Sequence, residues 1–301
     1  MHALLVTVDA RYAAILPVFL RCLHRNYPNH PQVVVCTSGW APHMFGPLDR
    51  EFPFLRWVDA ATLRFPIGPP MRHDVSMDRP IMYARWAAFT PAFDIYDTVV
   101  YLDVDTLVLA PLDRLLATER ALAFEDAYPD VDTLIFRDPN DDDLRELLRQ
   151  DGLDGHEWHA ANAGVIALPR RDRRREHLLE AERLATRYAP YLMWGDQSVF
   201  NLWLARNALR PVRDFRFNYQ VRLILERREG TLYRHAKVLH FNGQQAAMPF
   251  LMALATALVR LPGGRRLVPT ALRLAMRPEL EGLPGYRLRR WLRGQLLRSM
   301  E

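Results

Sequence analysis

An α/β fold, with a parallel or mixed sheet covered by helices on both faces, is the architecture this sequence predicts. Three observations carry that reading. Short β-rich apolar runs recur along the 301 residues, and segments with apolar residues at helical spacing separate them. The composition is globular, at 50% hydrophobic, 25% charged and 11% aromatic side chains, which excludes disordered, collagen-like and disulfide-stapled classes.

The runs follow in order. Leu4–Val8 reads as a first buried strand, and Tyr12 to about Leu23 as the helix after it. Val33–Cys36 is a second strand, closed by Thr37-Ser38-Gly39. Thr98–Leu102, Ala163–Leu168 and Lys237–Phe241 are three more, while Arg173–Tyr188 and Gln197–Ala205 have helical spacing. The Pro-rich run Phe65–Pro70 reads as a loop. After Gly243 the character changes, dividing the chain into a body of residues 1–245 and a basic, amphipathic helical tail of residues 246–301. Ala246–Val259 is apolar except for Thr256, and at about 21 Å as a helix it is too short to span a bilayer. Tyr286–Leu297 interleaves Trp291 and leucines with arginines at 287, 289, 290 and 293.

Charge divides the same way. The tail holds ten arginines against Glu279, Glu281 and Glu301, a net +7, which leaves the first 245 residues with 30 basic and 32 acidic groups, or −2. The near-neutral body offers no second basic patch to extend a groove, so a nucleic-acid partner is not expected. The two cysteines, Cys22 and Cys36, read as buried spectators in a reducing cytoplasm. Asp9 and Arg11 interrupt the apolar opening before a signal-peptide core forms.

The sharpest local signal is Tyr101-Leu102-Asp103-Val104-Asp105, an apolar strand ending in two acids, followed by a second apolar run, Thr106–Leu109. Open α/β sheets bind ligands at the carboxyl ends of their strands. Two carboxylates one residue apart repel, and a divalent cation is the usual way to keep both ionised.

At this motif the chain resembles the retaining glycosyltransferases of family eight, which have the GT-A fold and a D-x-D metal motif. Further segments agree in order and spacing over roughly residues 3–245. Val8-Asp9-Ala10-Arg11-Tyr12-Ala13-Ala14 resembles the family's first strand-to-helix turn, and Tyr83-Ala84-Arg85 the segment before the metal motif. Asn162-Ala163-Gly164-Val165 is similar to its N-A-G-V turn, and Gly195-Asp196-Gln197-Ser198-Val199-Phe200-Asn201 to its D-Q-x-x-x-N stretch. His240-Phe241-Asn242-Gly243 resembles the start of its H-x-x-G ending.

The resemblance implies a metal-dependent hexosyl transfer from a UDP-sugar to a glycan or glycolipid such as an envelope glycan. Asp103, Asp105 and His240 would give two oxygens and one nitrogen to Mn2+ or Mg2+, the imidazole tilting the choice toward manganese. Asp9 would hydrogen-bond the uracil and Tyr12 stack on it, while Arg85 would meet the diphosphate or a sugar hydroxyl. Asn162, Ala163 and Gly243 complete the implied donor site. Gln197 would lie near the anomeric carbon, with Asp196 on the sugar. The family ordinarily continues to a lysine, a proline and a tryptophan, but Gly243 is followed by Gln244, Gln245, Ala246, Ala247 and Met248. Arg85 is the cation expected to take up part of that lysine's work. The competing class is a sugar-nucleotide-binding or membrane-docking protein without turnover.

The basic tail implies an anionic membrane partner and a peripheral position on the inner face of the cytoplasmic membrane. Asp141-Asp142-Asp143 reads as a helix start rather than a site, and His156 and His159 as loop residues.

Overall fold

The computed structural model describes residues 1–9, 12–37, 46–63, 80–126, 135–154, 157–225, 232–242 and 248–276. Gly243, the loop Phe65–Pro70, His156 and the segment Tyr286–Leu297 lie outside the described residues. The chain forms two units: residues 1–10, 31–103 and 112–214, and residues 11–30, 104–111 and 215–301.

The first unit is built on a six-stranded sheet in the order β3-β2-β1-β4-β7-β6. Its strands are β1 (His2–Val8), β2 (Gln32–Thr37), β3 (Leu55–Asp59), β4 (Thr98–Asp103), β6 (Leu122–Glu125) and β7 (Ala161–Pro169). The four strands expected here are present, each somewhat longer than its apolar run, while Lys237–Phe241 forms only the three-residue strand Val238–His240. β1, β2, β3 and β4 are parallel, and β7 runs antiparallel to both β4 and β6. Every residue of β7 is buried, as is β4 up to its last residue, which matches their unbroken apolar sequences.

Direction matters for the site. Parallel strands bring their carboxyl ends to one edge, and the reversed β7 brings its beginning to that same edge. Leu102 pairs with Val165, so Asp103 and Asn162–Gly164 emerge together.

The longer helices of this unit are α2 (Asp142–Gln150), α3 (Arg175–Tyr188) and α4 (Asp196–Arg206); the second unit's α1 (Leu16–Asn26) precedes them in the chain. Asp141 caps α2 by accepting the Leu144 N–H at 3.0 Å, as its sequence suggests. α1 starts at Leu16 rather than Tyr12 because Ala13–Ile15 form a 3-10 turn and Pro17 suits the first helical turn.

A ten-residue 3-10 segment, Pro80–Phe89, feeds its aromatic side chains into the core. Trp86 meets the rings of Phe89, Phe200 and Trp203 there. Buried Arg173 ties the continuation of this segment to β7. It donates to Leu168 O (3.0 Å), Ala88 O (3.0 Å), Phe93 O (3.1 Å) and Tyr96 O (2.5 Å). Burial pulls its pKa down to about 10, which still leaves it charged at neutral pH.

The second unit carries a three-stranded sheet, β5-β9-β8, from β5 (Thr106–Val108), β8 (Tyr219–Gln220) and β9 (Val238–His240). α1, α5 (Met248–Val259) and α6 (Val268–Ala275) are its longer helices. The apolar run that becomes α5 is thus a packed helix, with Met248, Leu251, Met252 and Ala255 buried. Among the described residues no helix is long and apolar enough to cross a membrane.

Candidate active site

The site in the first unit grows from the end of β4. Alternate strand residues share a face, so Tyr101 and Asp103 stand side by side and the Tyr101 hydroxyl donates to Asp103 Oδ1. Thr7, whose register partner on β4 is Asp103, meets the same hydroxyl at 3.0 Å. Burial first, and then the Asp103 carboxylate, hold the phenol well above its ordinary pKa, so it stays a donor.

Arg85 joins the elements around this edge. Its guanidinium lies 4.8 Å from the Tyr101 ring centroid, a cation–π contact. Nε pairs with Asp196 at 2.5 Å, Nη1 donates to Ala163 O at 2.5 Å, and Nη2 lies 3.8 Å from Asp103. Arg85 is 8% exposed and Asp196 1% exposed. A planar, rigid fork of donors suits this task of meeting several partners from one fixed group.

Asp196 responds to opposing influences. Burial raises its pKa to about 7; Arg85 pulls it down and Asp103 pushes it up. Desolvation of a carboxylate 1% exposed outweighs one ion pair, so the upward direction holds. Gly195 sets the turn before it with φ +53° and ψ −118°, a backbone conformation that side-chain-bearing residues rarely adopt.

Gln197 and the start of β7 meet through the backbone. The Ala163 N–H donates to Gln197 Oε1 at 3.1 Å, and among the described residues the Gln197 amide N–H2 has no partner. Asn162 accepts the Gly164 N–H at 3.0 Å and donates to Asp126 at 3.0 Å. Asn201, one helical turn after Gln197, accepts the Ala161 N–H at 2.6 Å and donates to Ala161 O at 3.0 Å. One side chain thus completes the backbone pairing of the β7 start. In the sequence Asn201 stands at the end of the D-Q-x-x-x-N stretch, and its four-residue spacing from Gln197 is the one signal of this task.

In the second unit, β5 and β9 pair Thr106 with His240, and the Phe241 N–H donates to Asp105 O at 2.9 Å. That register brings the His240 imidazole Nε2 to 3.3 Å from Asp105 Oδ1, with Asn218 Oδ1 3.0 Å from the other ring nitrogen. Asp105 and His240 thus bring a carboxylate oxygen and an imidazole nitrogen together, and Asp103 ends β4 two residues before Asp105 in the chain. Two acceptor oxygens and an imidazole suit Mn2+ or Mg2+ better than a thiolate-loving ion.

Asp9, half-buried, follows the last residue of β1, and Tyr12 opens the 3-10 turn Ala13–Ile15 with its carbonyl accepting the Ile15 N–H at 3.0 Å. His159 lies beside Glu125 (3.5 Å) and Glu157 (3.6 Å). Cys22 and Cys36 are buried, and burial raises both thiols to about 12, which leaves them unreactive.

The model of the family described as Glycosyl transferase family 8 matches residues 75–246. A search of curated protein sequences finds no significant match. Among solved structures, the chain is similar to an active-site mutant of LgtC at TM-score 0.58 and 19% identity, covering 93% of this chain and 99% of that one. Galactosyltransferase LgtC in complex with donor and acceptor sugar analogs gives TM-score 0.56 at 20% identity, with the same coverage of 93% and 99%. The apo bifunctional glycosyltransferase WbbM gives 0.57 at 17% identity, over 80% of this chain and 45% of that one. The shared architecture is the GT-A fold, a mixed sheet flanked by helices.

Proposed function

The chain belongs to glycosyl transferase family 8, and on that premise we propose that this glycosyltransferase moves a hexose from a UDP-sugar to a glycan or glycolipid hydroxyl, with retention at the anomeric carbon. The observation that carries the proposal is the buried Arg85 fork, which pairs with buried Asp196 of the D-Q motif and lies 3.8 Å from half-buried Asp103 of the D-x-D motif. A solved galactosyltransferase of this fold binds donor and acceptor sugar analogs, which supports a donor and an acceptor sugar here.

Asp103, Asp105 and His240 would hold a divalent cation, manganese suiting the imidazole best. When bound, such an ion supplies Lewis-acid stabilisation of charge on the leaving diphosphate. Arg85 brings a fixed positive charge beside the same carboxylate. Asn162 and Gln197 would orient the donor sugar, Gln197 through its uncommitted amide N–H2. An amide is a poor nucleophile, so front-face departure and attack is the favoured route to retention. Asp9 and Tyr12 would hold the uracil, and Gly243 the diphosphate. Asp196 engages Arg85 inside the protein, and in this reading it aligns that guanidinium and the start of α4.

The test is donor hydrolysis with manganese and a panel of UDP-sugars, because slow leakage to water needs no known acceptor. Asp103→Ala and Asp105→Ala are expected to lose more than tenfold of the metal-supported turnover. Undiminished turnover in either variant, or in excess chelator, removes the metal assignment. Proton NMR of the first-formed product reads the anomeric outcome. UDP binding without turnover across the panel would favour the second reading, a sugar-nucleotide-binding protein. The missing lysine after Gly243 is the feature that speaks for it.

The acceptor side involves the tail. Leu261, Leu267 and Leu274 are 55%, 55% and 46% exposed, and residues 246–276 hold four arginines and no acid. That combination supports reversible attachment to an anionic leaflet on the cytoplasmic side, where a lipid-linked glycan would be met.

A further inference from the structure

A neutral imidazole carries one N–H and one lone pair, and the partner of one nitrogen decides which nitrogen holds which. For His240, buried on the central strand of the three-stranded sheet, that partner is Asn218. The amide oxygen Asn218 Oδ1 lies 3.0 Å from His240 Nδ1, and an amide oxygen only accepts. The hydrogen therefore belongs on Nδ1, and Nε2 turns its lone pair toward Asp105 Oδ1 at 3.3 Å. Two acceptors at that distance repel, which is the arrangement a cation between them would relieve.

We propose that Asn218 is a positioning residue that fixes His240 in the Nδ1–H tautomer and so aims its Nε2 as a ligand. The sheet explains why this residue can do so. β9 pairs with β5 on one side, through Thr106 and His240, and with β8 on the other, through Gln220 and His240. Asp105 immediately precedes β5 and Asn218 immediately precedes β8, so the ladder holds one partner for each ring nitrogen on opposite flanks of His240. The neighbouring amides Gln220 and Asn242 bond to each other at 3.2 Å. Asn218 itself is fully buried, so water does not compete for its oxygen.

The consequence for metal affinity rests on the metal reading above, but the tautomer does not. Long-range proton–nitrogen correlation spectra of the full-length, metal-free protein with 15N-labelled histidine, at about pH 8, read the tautomer directly. His240→Gln assigns the signal. The expected result is the Nδ1–H form in the wild type and in Asn218→Asp, and its loss in Asn218→Leu. In a manganese titration followed by electron paramagnetic resonance, N218L is expected to bind about 10–100-fold more weakly and N218D to stay within a few-fold of wild type. An Nε2–H tautomer in the wild type overturns the proposal, as does a folded N218L with unchanged tautomer. If N218L fails to fold, the wild-type and N218D spectra still decide. A wild type that shows Nδ1–H and binds no manganese loses its metal reading, while the orientation of His240 by Asn218 stands.

Discussion

Asp196 shows how one residue serves the site against its own preference. Its carboxylate pairs with Arg85 at 2.5 Å, yet burial raises its pKa from 3.8 to about 7. The linkage follows from that direction. Below about pH 4 the folded and unfolded chains both hold the proton. Between there and pH 7 the folded chain keeps a proton that the unfolded chain has released, so stability falls as pH rises, and it levels off above the folded value. Asp196→Asn removes the titrating group and should flatten this slope. Urea denaturation of both proteins at pH 5 and pH 8 should show the wild type losing about 2–3 kcal/mol relative to the variant, since each tenfold difference in proton affinity is worth about 1.4 kcal/mol. An unchanged difference would mean that Arg85 wins over burial and that Asp196 is ionised throughout. Turnover should fall in the variant at both pH values, because Arg85 loses its closest carboxylate.

The β7–α4 pair shows the same division of labour between elements. Asn201 satisfies both the N–H and the C=O of Ala161, which is fully buried at the start of β7. Asn201→Ala would leave both groups without partners, at a cost of about 2–5 kcal/mol in chemical denaturation. The start of β7 carries Asn162 and Ala163, so donor turnover should fall with it; a loss of less than about 0.5 kcal/mol would mean that water takes the amide's place. How much of this was legible follows from burial. β1, β2, β4 and β7 announce themselves because strands buried on both faces need continuous apolar runs. β3 does not, since every residue of Leu55–Asp59 is only half-buried and Arg56 and Asp59 break its apolar run. β6 is four residues long and too short to stand out. The reversal of β7 leaves no mark in a period-2 pattern, which records faces and not direction. Asp103 and Asp105 were legible from a strand ending in acids, but the bond from the Tyr101 hydroxyl to Asp103 depends on side-chain placement that the pattern does not record. Arg85 was found only through resemblance, because nothing in the Pro80–Phe89 run shows a buried cation that joins several elements. Asn218 sits in no motif, and its meaning exists only once β8 lies beside β9.

At the scale of the whole molecule the governing feature is a charge division along the chain, −2 over residues 1–245 and +7 over residues 246–301. A net charge so placed acts through its field on whatever anionic surface the protein meets. Within the described part of that region, Arg260 and Arg266 are exposed, as are Leu261 and Leu267 beside them. α5 contributes little, since its apolar residues pack largely inward. The exposed leucines supply insertion area and the arginines supply attraction, each worth about 1 kcal/mol near an anionic leaflet. Neither alone holds a protein for long, so the attachment should be reversible and sensitive to salt. Liposome flotation of the full-length protein should show binding to vesicles containing anionic lipid, little binding to neutral vesicles, and release as salt is raised. Removing two arginines with the paired substitutions Arg260→Ala and Arg266→Ala should weaken binding by about 2 kcal/mol, or roughly thirty-fold, with donor hydrolysis unchanged. Leu261→Ser with Leu267→Ser should also weaken it, and that loss should persist at low salt, because it removes buried apolar area rather than charge. Protein that stays in the soluble fraction with both vesicle types assigns the basic region to a protein partner or to packing, and takes the lipid-linked acceptor away with it.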